Sequence, residues 1–287
     1  VFSHLSLAGR YTEMFNGATA YQAVKKLALN YTEMEETFLA ALHSMASLLF
    51  NRRNLLLAVT ADGKEIDKIA AVGHVIPQSL ATTPVTPCEL PPLTLPEHEA
   101  FITSAEVVYA VQGGNLLPGG AGYNGHFEVL KTFLSRDYLW NTVRQMGGAY
   151  GCFIQFSQIS GNIAYVSYRD PQVRKTYEAY ATIPEVIVGL DIPASIMEQL
   201  IIGTYGSFNP HQSPASRGVT ARNEYLSGID PDYKKQRLAE IISTTPADLQ
   251  AFAPAFAKMQ KTSHRATIGN RKKIEDDSDL FQSLSEL

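Results

Sequence analysis

The apolar positions of the chain recur first at helical spacing. Leu5, Leu7, Ala8, Tyr11 and Phe15 predict a helix over 2–15, closed by Gly17. A second run covers 21–29. Thr32 then opens a longer helix, with Glu35 three residues on as in a capping box, and its stripe is Phe38, Leu42, Met45, Leu48 and Leu49. The unbroken apolar run 54–60 predicts a strand buried on both faces, turned by Ala61-Asp62-Gly63. It has no sheet neighbour nearby, so the opening stretch has the look of the back of an α+β domain. After a predicted helix over 64–74, residues 76–96 carry six prolines and no glycine. Such a stretch is extended, and it is the strongest domain boundary in the chain.

Beyond it the pattern changes period. Residues 105–111 alternate as a strand, and 113–122 form a glycine-rich loop. No Gly-Lys-Ser/Thr ends that loop, which excludes a phosphate-binding P-loop. A helical block over 125–146 follows, with a break near 135–137. Two alternating stretches, 151–157 and 162–168, predict an antiparallel pair joined at Ser160-Gly161. Asp170 is placed to cap a helix begun at Pro171. Further helices are expected over 173–181, 194–205, 216–226, 233–243 and 247–261. A short strand at 265–269 and an acidic, loosely helical tail close the chain. This order is α+β rather than an alternating βαβ chain.

Composition narrows the function. The 287 residues carry a net charge of −4, so no basic excess exists to attract nucleic acid or an anionic membrane. The apolar runs are too short to span a bilayer, and nothing at the start has the form of a signal peptide. Two cysteines, Cys88 and Cys152, give neither a disulfide framework nor a cysteine-built zinc site. They fit a reducing compartment, the cytoplasm or, in a eukaryote, an organelle matrix. The chain opens without Met, already inside a helical pattern, which is expected of a piece of something longer. Its seven histidines show no i, i+4 pairing. Glu97-His98-Glu99 is dense in ligand atoms, but neighbouring side chains point apart, and His126 with Glu128 is weaker still. There is no Gly-x-Ser-x-Gly elbow, and Cys152 starts an apolar strand as a small hydrophobe would.

The candidate chemistry gathers at Arg144-Gln145-Met146-Gly147-Gly148-Ala149-Tyr150-Gly151, where the helical block exits into a strand. Two readings fit these residues. One is a Schellman-type cap followed by a core tyrosine. The other is a donor pair, the fork of Arg144 and the hydroxyl of Tyr150, beside a backbone opened by Gly147 and Gly148 and suited to a carbonyl oxygen or a carboxylate.

The run Tyr138-Leu139-Trp140-Asn141-Thr142-Val143-Arg144, continuing through Gly147 to Gly151, resembles the C-terminal half of presequence proteases, a branch of the pitrilysin/insulinase zinc metallopeptidases. Tyr168-Arg169-Asp170-Pro171, Gly203-Thr204, Arg222 with Tyr225-Leu226 and Gly228, and Arg237 leading to Thr244-Thr245 and Asp248-Leu249 agree with it in order. Leu7-Ala8-Gly9 and the run 54–60 resemble the end of the preceding domain. The resemblance implies an α+β pitrilysin-like fold, a mostly antiparallel sheet with helices on one face. Residues 1–75 would then be the tail of a related domain, 76–96 a linker, and 97–287 a complete C-terminal domain. It also implies a half-enzyme. Zinc belongs to an N-terminal partner half through a His-x-x-Glu-His motif that is absent from this chain. Arg144 and Tyr150 would reach an unstructured peptide substrate across a clamshell cavity and stabilise the oxyanion, and Gly147 and Gly148 would clear room for it. Alone, the chain is expected to bind no cofactor and to cleave nothing. The alternative is a catalytically silent scaffold or binding subunit of the same family; silent copies tend to lose the reaching Arg and Tyr, and both are present here.

Overall fold

The computed structural model describes residues 1–73, 78, 80–84, 86, 95–118, 121–230 and 232–287. The chain divides into two compact units. One comprises Val1–Gln22, Leu93–Asn209 and Asp232–Leu287, and the other Ala23–Pro92 and Pro210–Pro231.

The first unit is built on a six-stranded sheet. Its strands are β1 (His98–Thr103), β2 (Val108–Asn115), β3 (Gly151–Phe156), β4 (Asn162–Tyr168), β5 (His264–Asn270) and β6 (Ser283–Glu286), in the order β3-β4-β2-β5-β1-β6. The pairs β3/β4, β4/β2 and β2/β5 are antiparallel, whereas β5/β1 and β1/β6 are parallel. Alternation sorts the side chains into two faces. Ala110, Thr267, Ser167 and Cys152 are buried, while their strand neighbours Ile268, Tyr168 and Phe153 are 37%, 38% and 41% exposed. One face therefore carries the main core, and the other is only partly covered, in part by the opening helix, whose His4 stacks on His264. Over the core face lie the helices Gly125–Phe133, Arg174–Ala181, Ile183–Val188, Ala194–Phe208, Tyr233–Ile242 and Ala253–Gln260, which bury Phe127, Tyr180, Ile187, Ile241 and Phe256. This is the expected α+β architecture.

Several local expectations are corrected. Strand β1 was not foreseen in the sequence, and β2 starts at Val108 rather than at 105. Gly113 and Gly114 are strand residues, not loop. A Cβ on Gly113 would lie 2.3 Å from the Ile163 carbonyl oxygen across the ladder, so the close pairing requires glycine there. The Asp170 cap fails as well. That carboxylate is buried and accepts from Gln172 N (2.8 Å) and Thr176 Oγ1 (2.7 Å), and the helix starts only at Arg174. The helix expected over 247–261 is two, Pro246–Gln250 and Ala253–Gln260. The tail folds as a helix, Arg271–Asp276, a 3₁₀ turn and the edge strand β6.

The second unit is helical, with Tyr31–Leu49, Gly63–Gly73 and Pro214–Leu226 as its main elements. The long helix starts after Asn30 without a side-chain cap, so the Thr32–Glu35 capping box does not form. The run 54–60 is not a strand. Leu55, Leu56 and Leu57 are 43%, 54% and 53% exposed, following a 3₁₀ turn at Arg52–Asn54. An apolar run becomes a buried strand only where neighbouring strands take up its backbone groups, and the described residues of this unit contain none. The anchor is polar instead: Asn51 Nδ2 donates to Thr83 O at 2.7 Å, and Arg52 N donates to Ala81 O at 2.8 Å. Most of the proline-rich stretch 76–96, with Cys88, lies outside the described residues.

Candidate functional site

The approach to the site is one continuous winding helix. Asn124 caps it, its Oδ1 accepting from Phe127 N at 3.3 Å, and the segment Gly125–Phe133 is α-helical. From Leu134–Tyr138 and again over Trp140–Met146 the winding widens to π. The buried residues explain this. Leu130, Leu134, Leu139 and Val143 are spaced by four, five and four, and a five-residue step stays on one face only when the turn widens to i→i+5 bonding. The predicted break near 135–137 is thus a change of winding, of a kind that recurs at functional sites.

The helix closes on Gly148, whose φ of +86° is the left-handed conformation glycine adopts freely. Gly148 N donates to Arg144 O (3.0 Å), and Ala149 N reaches back to Val143 O (3.2 Å). Both adjacent glycines answer needs inside the chain. A Cβ on Gly147 would stand 2.5 Å from Val143 O, and one on Gly148 would stand 3.2 Å from Pro171 Cγ. The cap reading of this turn is therefore correct. The core-tyrosine reading is not, because Tyr150 is 67% exposed.

Arg144 is held rather than free-swinging. Its Nε donates to the Tyr150 carbonyl at 2.8 Å, and its guanidinium carbon lies 3.8 Å from the centroid of the Trp140 ring, one helical turn back. Stacking on an indole face suits a planar, weakly hydrated cation. The terminal NH₂ groups of Arg144 and the hydroxyl of Tyr150 have no partner among the described residues. The Tyr150 ring leans on Tyr168 at 5.8 Å between centroids, and Tyr150 N donates to Arg169 O at 3.3 Å. Arg144, Gln145, Gly148, Ala149, Tyr150 and Arg169 line one open concavity. Chemically, two free donors at its rim can hold a single electron-rich oxygen or the two oxygens of a carboxylate.

Cys152, one residue into β3, contributes nothing reactive. It is buried, and burial pushes its thiol up to about 12, only partly countered by the Tyr180 hydroxyl at 3.8 Å. Among the described residues no three His, Cys, Asp or Glu side chains are grouped as a metal would need. Glu97, His98 and Glu99 run into β1, where adjacent residues face opposite ways. His126 Nδ1 lies 3.0 Å from Thr244 Oγ1, and Glu128 is taken up by Lys131 (2.5 Å) and Tyr123 (2.6 Å). No helix among the described residues is long and apolar enough to cross a membrane. Trp140 and Arg169 flank this turn in space and had no role assigned from the sequence, although both stand inside the motifs that carry the resemblance.

Comparison with known proteins follows the same residues. A family model described as the PreP C-terminal domain matches residues 98–268, more than half of the chain. Protein HypA of Clostridium perfringens is 28% identical over 284 residues, covering 99% of this chain and 29% of that protein. Presequence protease 1, chloroplastic/mitochondrial, of Arabidopsis thaliana is 29% identical over 256 residues, covering 88% and 23%. The chain thus spans about a quarter of the length of these relatives. Among solved structures, the peptidase M16 inactive domain from Pseudomonas fluorescens superposes with a TM-score of 0.52 at 10% identity, covering 71% of this chain and 51% of that one. A protease from Helicobacter pylori gives 0.52 at 14% identity, covering 73% and 53%. These two likenesses are of fold.

Proposed function

The chain belongs to the PreP C-terminal domain family, and from that premise we propose that it is part of the C-terminal half of a presequence-protease-like peptidase, the half that holds the peptide. One observation carries the reading: the free N–H groups of Arg144 and the free hydroxyl of Tyr150 open on the same concavity at the helix-to-strand turn. A peptide laid there presents a carbonyl oxygen to both. As the scissile carbonyl becomes tetrahedral its oxygen gains charge, and donors already oriented strengthen their bonds without reorganising. The stack on Trp140 and the bond to the Tyr150 carbonyl supply that orientation for Arg144. Gly148 lines the concavity and brings backbone beside the proposed peptide, and Gly147 lets the helix close tightly just before it. The described residues of this chain do not fit a metal, so no step here runs through one, and the zinc of this reading is assigned to an N-terminal partner half. The substrate proposed is an unstructured peptide, and the setting proposed is the cytoplasm or an organelle matrix.

The test is hydrolysis of an uncharged quenched fluorescent peptide by this chain, by the zinc-bearing half, and by the two together. Activity is expected only in the mixture. Tyr150→Phe should lower kcat by roughly 10²–10³ with little change in KM, the signature of a donor used in the transition state. Equal losses in binding and turnover would reassign Tyr150 to packing. Association of the halves without hydrolysis would favour a silent scaffold.

A further inference from the structure

We propose that Arg169 is a specificity-determining residue of this concavity, taking a carboxylate of the bound peptide beside the carbonyl held by Arg144 and Tyr150. The proposal rests on the reading of the concavity as a peptide site.

The first observation is conformational. Arg169 has φ +49°, and among the described residues it is the only non-glycine with positive φ. A side chain in this region costs on the order of 1 kcal/mol or more and persists only where the surroundings over-determine it. Here they do. On one side Arg169 O accepts from Tyr150 N. On the other, Asp170 and Val108 exchange both backbone bonds, Asp170 N to Val108 O at 2.8 Å and Val108 N to Asp170 O at 2.9 Å. The buried Asp170 carboxylate is itself fixed by Gln172 N and Thr176 Oγ1. Glycine would satisfy this turn at lower cost. Arginine is therefore not explained by the turn, and its use lies in the side chain.

The second observation is electrostatic. The guanidinium of Arg169 is exposed, rests 5.7 Å from the Tyr168 ring centroid, and has no ion pair among the described residues. Arg144 has none either. The lining of the concavity holds these two cations and no acid, on a chain whose net charge is −4. Two unneutralised guanidiniums facing one space in an acidic protein call for an anion. The planar fork of arginine matches a carboxylate in bidentate geometry. With Arg144 committed to the carbonyl, Arg169 is the group left to take the carboxylate. On a peptide this comes from an acidic side chain near the held carbonyl or from the C-terminus.

The experiment measures dissociation constants by fluorescence anisotropy on the 287-residue chain, and kcat/KM on the assembled enzyme. Three peptides of one sequence serve as probes: a neutral Gln form with an amidated C-terminus, the same with one Gln→Glu change, and the Gln form with a free C-terminal carboxylate. One or the other acidic form should be preferred over the neutral form by about five- to tenfold at low salt, and less at high salt. Which form is preferred identifies the source of the carboxylate. In Arg169→Gln that ratio should fall to about one, and Arg169→Lys should restore part of it. Arg169→Gly, which relieves the backbone, should lose the preference while unfolding at a temperature no lower than wild type, which separates charge from folding. No preference in the wild type, or a preference that survives in Arg169→Gln, overturns the proposal. The ratio is read on binding as well as turnover, so it stands apart from the Tyr150→Phe result. Loss of that result with the ratio intact would sink the transition-state reading and leave the carboxylate site.

Discussion

At the scale of single residues, the glycines of the turn do different work. Gly148 is left-handed, and a Cβ on it would sit 3.2 Å from Pro171 Cγ. Gly148→Ala is expected to destabilise the chain by about 1–2 kcal/mol through backbone strain, with further cost if Pro171 cannot shift. Gly151 lacks this constraint, since its φ is not positive and an added Cβ would meet only Tyr168 Cβ at 3.9 Å. Gly151→Ala should therefore be close to neutral. Urea midpoints with unchanged slopes would report the difference, and equal losses at both positions would contradict this account. Both glycines were visible as a motif in the sequence. What separates them is first the left-handed φ of Gly148 and then Pro171, more than twenty residues away and brought close only by the fold.

At the scale of elements, starts and stops follow local chemistry where a cap is complete. The helix Pro246–Gln250 begins in a full capping box: Asp248 N donates to Thr245 Oγ1 at 3.4 Å, and Thr245 N donates to Asp248 Oδ2 at 2.8 Å. The Thr245 hydroxyl also donates to Asp248 Oδ2 at 2.6 Å, and this bond leads the causes that hold that carboxyl below its usual range. Thr245→Ala should cost about 1 kcal/mol, a fall in Tm of roughly 2–4 °C, while Thr245→Ser should recover most of it. The comparison is a thermal scan of the three proteins. Every atom this cap uses lies within four residues, Thr245 to Asp248. The helix expected from Thr32 shows the converse, since the same pattern of residue types stands there and the helix is capped two residues earlier, at Asn30, without it.

At the scale of the whole molecule, the opening helix and β5 meet through an unusual pair. The rings of His4 and His264 stack at 4.2 Å with 9° between their planes, and His264 Nδ1 is buried without a hydrogen-bond partner among the described residues. Burial, then the neighbouring His264, push His4 down to about 4, against weaker opposing pulls from Glu97 and Glu13. Burial likewise lowers His264, opposed by Glu97. Both are thus neutral in the folded state at pH 7. As pH falls from about 6.5 toward 4, the unfolded chain binds protons that the folded chain refuses, so their contribution to stability is present above that window and lost within it. Wild type should lose stability relative to His4→Gln between pH 7 and 4.5 in urea titrations. A constant difference across that range would show that the stack does not titrate with folding.

The sequence by itself determined what is encoded within a few residues. That includes the α+β class, the helix-to-strand turn with Arg144 and Tyr150, the β3–β4 hairpin whose Gly161 has φ +72°, and the absence of a zinc motif. Caps, left-handed glycines and helical periodicity arise from contacts close along the chain, so composition and spacing reveal them. The tertiary structure alone decided the rest. It made β1 and β6 strands despite weak patterns, placed β5 between an antiparallel and a parallel neighbour, and left the apolar run 54–60 without a ladder. It also brought Arg169 from the end of β4 to the turn that carries Arg144 and Tyr150. A strand is completed by hydrogen bonds from distant segments, and a site by side chains from several, and neither is written in the residues nearby.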